Sequence, residues 1–386
     1  MKMIWWFVRL ILLAGSSDFS HHYRLCNSAL TNHGAYLRVP MPYLTKRKWL
    51  LVNCGLVLGL TGTIIACTAV GTVPVSLAHA WNVPSLDNPD YVILVRTRLP
   101  RVLLATVVGG ALGVAGAALQ ALLHNPLACP HILGVSGGAS LCGIVALVVA
   151  GTATAGLPGF LHISFVSLAA FLGATGTTVL IYRTALNHGR LQPYALLLTG
   201  VVFNAFCGAL IMLVNSLTDF YQSHGVLFWL MGSLAAQDYT VVGAIGFYVL
   251  LGAGWLIGQS RRLNLLSLGE EGAAQLGVDV ETLRRRTFLA TSLLVGAIVS
   301  VSGMIGFVGL IVPHLLRLLC GADHRLLLPA SVLGGAIFLV WADTLARTVV
   351  SPTELPVGVV TAMCGGPFFL YLLKKEERRR LLGEHV

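Results

Sequence analysis

Few side chains in this 386-residue chain could do chemistry within its apolar stretches, and their spacing narrows what that chemistry is. Asp343 and Arg347 stand four residues apart, one turn along a helix, so an intrahelical ion pair is the first reading and a proton relay the second. Ser267 and Glu270 have the S-x-x-E spacing of a capping box that starts a short helix; Glu271 joins Glu270 in the first turn, where the helix dipole favours acids, and Gly277 can close it. Gly134-Val-Ser-Gly-Gly138 suggests a phosphate cradle, but no strand precedes it and no Lys accompanies it, which favours close helix packing. Pro313-His314 places one His in an apolar run, where a hydrogen-bonded packing role outweighs ligation of haem. The eight Cys residues show no CxxC or metal-ligand spacing and read as free thiols; no metal site is expected. Lys occurs only at positions 2, 46, 48, 374 and 375, never after Gly, so a GxxxxGK[ST] phosphate loop is excluded. No catalytic constellation emerges, and any nucleotide hydrolysis belongs to another chain.

The elements that must position these residues are membrane helices. Hydrophobic residues make up 56% of the chain and charged residues 10%, against about 25% charged in soluble domains. The net charge of +10 could suggest nucleic acid, yet Lys and Arg cluster between apolar segments, which is a topology signal. A bilayer core of about 30 Å needs roughly 20 helical residues. Expected spans are Trp49–Val70, Val102–Leu123, Ser136–Thr154, Ile163–Tyr182, Ala195–Leu217, Tyr239–Gly258, Thr287–Ile305, a shorter Gly306–Leu319, Leu326–Val349 and Val357–Leu373. Asn125-Pro126 and Pro130 separate the second from the third, and Gly156-Leu157-Pro158-Gly159 separates the third from the fourth. The expected fold is all-α and polytopic, with about ten transmembrane helices.

With Lys46-Arg47-Lys48 on the cytoplasmic side, 17 of the 25 basic residues fall inside, both termini are cytoplasmic, and the positive-inside rule is met. Arg96, Arg98, Arg101 and Arg347 fall outside. The expected organisation is an N-terminal extension over 1–45, a permease domain over 46–375 and a cytoplasmic tail over 376–386. Met3–Ala14 is a short apolar run behind a lone Lys2; a cleaved signal peptide there would force Lys46-Arg47-Lys48 outward, so the expected reading is that Met41 is the working start or that this segment is a poorly ordered extension.

The run RLPRVLLATVVGGALGVAGAALQALLHNPLACPHILGVSGGASL from Arg98 resembles the signature of the FecCD family of permeases. LLLTGVVFNAFCGAL from Leu196, LNLLSLGEEGAAQLGV from Leu263, and GFVGLIVPHLLRLLCGADHRLLLP with ADTLARTVVSPTELPVGVVTAMCGGPFFLYLL resemble further blocks in the same order. The resemblance implies the type II ABC importer permease fold, in the bacterial inner membrane. It also implies a homodimer with two cytoplasmic ABC ATPase subunits that hold ATP and Mg, and a periplasmic substrate-binding protein. The chain itself is then non-catalytic, binds no cofactor or nucleic acid, and contacts membrane lipid. The cargo would be a ferric siderophore first, haem or cobalamin next. An ion-coupled carrier using Asp343 is the alternative.

The resemblance carries roles to individual residues. Arg98, Arg101 and Arg347 would receive acidic residues of the binding protein. Asn125 and Leu127 would narrow the cytoplasmic gate. Ser267, Leu268, Gly269, Glu270, Glu271, Gln275, Leu276 and Gly277 would form the coupling segment that docks on the ATPase. Gln192-Pro193-Tyr194 departs from the small hydroxyl residues of the family's other gate, and no gate residue is assigned there.

Overall fold

The computed structural model describes residues 44–82, 84–85, 87–153, 159–234 and 238–381. Residues 51–386 form one compact unit, and the described part of residues 1–50 is a short stretch entering the first helix. Residues 1–43 of the N-terminal extension, the start site and the last five residues of the tail therefore lie outside the described residues.

The apolar stretches become helices α1 (Lys46–Ala69), α3 (Pro89–Leu122), α4 (Val135–Ala153), α5 (Gly159–Ala185) and α6 (Pro193–Ser216), followed by α8 (Tyr239–Gly258), α11 (Val280–Ser302), α12 (Val308–Cys320), α13 (His324–Thr348) and α14 (Val357–Leu381). Shorter helices connect them: α2 (Leu77–Asn82), α7 (Phe220–Met231), α9 (Ser260–Leu266) and α10 (Glu270–Gln275). A two-stranded hairpin of β1 (Leu186–Asn187) and β2 (Arg190–Leu191) pairs Leu186 with Leu191 across a turn. Among the described residues seven helices have the length and hydropathy to cross a membrane, and α4, α12 and α14 contribute three shorter apolar segments. The ten expected spans are thus present as helices.

Three differences from the expected boundaries have local causes. Helix α3 begins at Pro89 rather than Val102, because Asn88 accepts a hydrogen bond from the Asp90 amide and Pro89 suits a first helical turn. Its residues Val92–Arg98 form a π-helical stretch. Helix α7 forms between the expected fifth and sixth spans, where no element is expected from the sequence; its 12 residues are too few to read as a span. Helix α14 continues to Leu381, past the expected tail boundary, since Lys374–Arg380 are good helix formers.

Helix α3 is the packing axis. It contacts α8, α11, α12 and above all α13, while α4 packs on α5 and α6, and α5 on α11. The cause is a row of small residues. A Cβ added at Gly109 would lie 2.3 Å from Gly335 O, at Gly113 2.1 Å from Ser331 O, and at Gly116 1.9 Å from Gly309 O. In lipid no hydrophobic force drives helices together, so such backbone contact supplies the dispersion that holds α3 to α12 and α13. Helix α1, by contrast, buries little of its surface.

Candidate functional site at the two ends of the bundle

At one end, α3 and α13 meet through charge. Asp343 is fully buried and takes Arg101 Nε on both carboxylate oxygens, at 3.1 and 3.2 Å. Arg101 Nη2 lies 3.0 Å from Asp343 Oδ1, and Arg347 Nε lies 3.1 Å from Oδ2, one turn along α13. Arg101 Nη1 also donates to Glu354 at 2.7 Å, in the segment between α13 and α14. Two cations and two anions therefore form one neutral cluster. The Asp343–Arg347 pair expected from the spacing is present, and Arg101 completes it.

Arg98 is placed differently. It is 5% exposed and donates to Thr68 O at 3.4 Å, Ala69 O at 2.9 Å and Val73 O. Thr68 and Ala69 end helix α1, where a cation complements the dipole and satisfies orphan acceptors, and Val73 lies in the bend that follows. Arg347 is 4% exposed and donates further to Cys67 O and Thr344 Oγ1. The three arginines thus gather at one end, each engaged within the chain, with Arg101 the one that also reaches an exposed partner, Glu354.

At the other end lies the turn after α3. Asn125 Oδ1 accepts from the Leu127 amide at 2.9 Å, and Asn125 O accepts from Ala128 N at 3.0 Å. With Pro126 at the second position this is a tight Asx-stabilised turn that leaves Asn125 and Leu127 half-buried. His124 Nε2 sits 2.9 Å from Leu266 O, joining the turn to the last residue of α9.

The segment Ser267–Gly277 follows α9. The capping box expected from Ser267 and Glu270 is not formed, a correction with a clear reason. Helix α9 runs up to Ser267, which keeps helical dihedrals, so its hydroxyl donates back to Asn264 O at 2.6 Å. Gly269, at φ 99°, makes the sharp turn into α10 instead and serves as its N-cap. The closing role of Gly277 holds: at φ 82° its amide reaches Ala274 O at 3.0 Å, and Val278 N reaches Ala273 O at 3.0 Å. That is a Schellman motif, with Ala273 and Val278 buried beneath it. The outward face carries Leu268 and Leu276, each 58% exposed, together with exposed Glu271 and Gln275.

Glu270 is exposed as well, but it is tied to the body of the chain. It pairs with Arg284 of α11, whose side chain is 5% exposed and whose Nη1 also donates to Leu191 O at 3.0 Å. Glu281 Oε1 accepts from Leu191 N at 3.0 Å, so the β-hairpin, α10 and the start of α11 are pinned together. Asp279 caps α11 by accepting from the Thr282 amide and hydroxyl, at 3.0 and 2.6 Å, and these bonds hold its carboxyl below the usual range. In the sequence Arg284 is legible only as one of five basic residues between Arg261 and Arg286. Glu354 offered one signal, a lone acid in the loop before the last span; His124 and Asn264 offered none.

The remaining motifs behave as packing elements. Gly134 ends the short 3₁₀ turn Pro130–Leu133 and lies against Gly200, and a Cβ at Gly138 would meet Thr177 Oγ1 at 1.8 Å. The His314 ring stands edge-on to Phe368, with centroids 6.0 Å apart. No disulfide forms among the described cysteines, and no cluster of metal-ligating side chains occurs among the described residues.

Comparison with known proteins supplies the context for this geometry. The hemin transport system permease protein HmuU of Yersinia pestis is 42% identical over 312 residues, 81% of this chain and 91% of its own length. The cobalamin import system permease protein BtuC of Halobacterium salinarum is 42% identical over 292 residues, 75% of each chain. Among solved structures, an inward-facing conformation of a metal-chelate type ABC transporter aligns with a TM-score of 0.72 at 33% identity, covering 85% of this chain and 99% of that one. Residues 58–375 match the FecCD transport family along nearly the whole helical bundle. The chain is a multi-span membrane permease, an importer subunit of the ABC class, and belongs to the FecCD transport family.

Proposed function

We propose that this permease moves a metal chelate of the ferric-siderophore, haem or cobalamin class from periplasm to cytoplasm, through a homodimer in the bacterial inner membrane. Two separate ATPase subunits hold ATP and Mg and supply the energy, and a periplasmic binding protein delivers the cargo. The hemin and cobalamin permeases at 42% identity support the cargo class. The observation that carries the energy assignment is the segment Ser267–Gly277. Its exposed Leu268, Leu276, Glu271 and Gln275 form an apolar patch with polar neighbours, braced from behind by the Glu270–Arg284 pair. A patch of this kind on a rigid support suits docking of another protein. The absence of any phosphate loop in the chain requires such a partner if ATP drives transport.

The distribution of basic residues supports an orientation with Glu271 and both termini in the cytoplasm and Arg101 at the periplasmic mouth. There, Arg101 is the residue best placed to exchange an internal acid, Glu354, for an acid of the binding protein; Arg98 and Arg347 support it from buried positions. Asn125 and Leu127 form the cytoplasmic gate at the opposite end. Reconstitution with the ATPase and binding protein in liposomes tests the proposal. Uptake of radiolabelled hemin, cobalamin or a ferric siderophore should require ATP and the binding protein. Changing Arg101 to Lys keeps a cation against Asp343 and removes the second arm that reaches Glu354, so it should slow docking, with basal hydrolysis retained. A variant that docks as fast as wild type at low salt would remove the docking role. Uptake driven by a proton or sodium gradient alone would remove the importer assignment.

A further inference from the structure

Helix α9 lies between span α8 and the segment Ser267–Gly277, and its last turn holds two other parts of the molecule. Asn264 Oδ1 accepts from the backbone N–H of His324 at 2.8 Å and lies 2.8 Å from His324 Nδ1. Asn264 Nδ2 donates to Asp323 Oδ1 at 2.8 Å. Both ends of one planar amide are thus committed to the first turn of α13. On the other side His124 bonds Leu266 O, next to the gate residue Asn125. The segment that faces the ATPase then starts at Ser267, whose hydroxyl is bonded back to Asn264 O.

A purely local reading would make Asn264 a helix cap for α13. That task is already done. Asp323 is the N-cap, accepting from the Arg325 amide at 3.0 Å, and the Arg325 guanidinium holds it further, with Nε at 3.0 and 3.1 Å from its two oxygens. The Asn264 bonds are additional, and they run between elements rather than along one. Burial alone would raise the Asp323 carboxyl, but hydrogen bonds from Arg325 and Asn264 outweigh it and set it at about 2. Asp323 therefore stays anionic at physiological pH, so the joint is permanent rather than proton-gated. At its far end α13 carries Asp343, about 28 Å along the helix by rise per residue, and Asp343 is clamped to Arg101 of α3. Helix α13 is continuous from His324 to Thr348, with a polar joint near each end.

We infer that Asn264 is a positioning residue that passes displacement of the Ser267–Gly277 segment to α13, and through α13 to the Arg101–Asp343–Glu354 cluster. The inference rests on the ATP-driven reading above. A chain of hydrogen bonds into a packed helix moves as a unit, whereas an α9 released from α13 lets the docking segment shift alone.

The test uses the chain assembled with its ATPase and binding protein in lipid nanodiscs and liposomes. Asn264→Ala should co-purify with the ATPase and keep basal hydrolysis, while stimulation by loaded binding protein and uptake fall about tenfold. Asn264→Asp should do the same, because it removes the amide donor and sets a second carboxylate against Asp323. The double variant Asn264→Asp with Asp323→Asn exchanges donor and acceptor and should recover most of the uptake. Wild-type stimulation in both single variants overturns the inference. So does a loss of uptake that tracks a lower melting temperature while the ratio of stimulated to basal hydrolysis stays unchanged, because that outcome is structural. Failure of the exchanged pair to recover uptake overturns it as well. A wild-type chain that neither binds the ATPase nor shows stimulation removes the importer reading, and this inference with it.

Discussion

Replacing Asp343 with Asn isolates the charge on which the α3–α13 joint depends. The side chain is 1% exposed and faces Arg101 and Arg347, at 3.0 and 3.1 Å. At about 3 Å and an effective dielectric of about 20, each contact has a gross attraction of roughly 5 kcal/mol. Desolvation of several kcal/mol per ion offsets most of it. The loss on mutation is dominated by what remains: two guanidinium groups in a nearly dry site with one anion, Glu354, which is half exposed and reaches only Arg101. Breaking a buried pair in this way costs about 3–5 kcal/mol. At roughly 2–4 °C per kcal/mol, the apparent melting temperature should fall by about 10 °C. Adding Arg347→Met removes the stranded cation and should restore more than half of the loss, since an apolar side chain of similar length suits the site. The assay is the monodisperse fraction after heating in detergent, at one fixed heating rate because membrane-protein unfolding is commonly irreversible. A single variant within about 2 °C of wild type, or a double variant no better than the single, would refute the reasoning. A variant of wild-type stability whose uptake no longer responds to an ion gradient would instead make Asp343 a relay.

Three further outcomes follow from the same geometry. Glu271→Lys should weaken ATPase co-purification with melting unchanged, while Glu270→Lys should lower the melting temperature as well, because it sets a cation against buried Arg284. Gly113→Val drives a side chain into Ser331 O and should destabilise the chain by more than the usual overpacking of about 1–3 kcal/mol; Gly55→Ala, with nothing within 4 Å of the added carbon, serves as the neutral control in the same melt. The Asp323 carboxyl is depressed in the folded chain to about 2, below the ordinary carboxylate value, so its contribution is present above the ordinary value and is lost as pH falls toward the lower one. Asp323→Asn should therefore flatten the acid limb of the melting curve below about pH 4 and leave its slope near neutrality unchanged.

Much of the fold was legible because membrane spans are read from local composition. An apolar run of about 20 residues has few other places to go, since its backbone must satisfy itself in lipid. The Asp343–Arg347 pair was legible for the same local reason, a spacing of four on one helix. The capping box failed because a local rule met a competing local structure: α9 reached Ser267 first and turned its hydroxyl backwards. Glu270 and Glu271 look equivalent in sequence, yet one pairs with a buried arginine and the other faces solvent.

The sequence by itself determined that the chain spans a membrane, that its basic residues fall in an ordered topology, that it carries no phosphate loop, and that its blocks are those of one permease family. Tertiary structure decided which charges meet. Arg101 and Asp343 are 242 residues apart, Asn264 and Asp323 59, and Glu270 and Arg284 14, and none of these pairs follows from helical periodicity. Periodicity tells which side chains share a face of one helix. Which faces come together depends on where backbones can approach, and here the glycines of α3 against α12 and α13 set that approach to within a few ångströms.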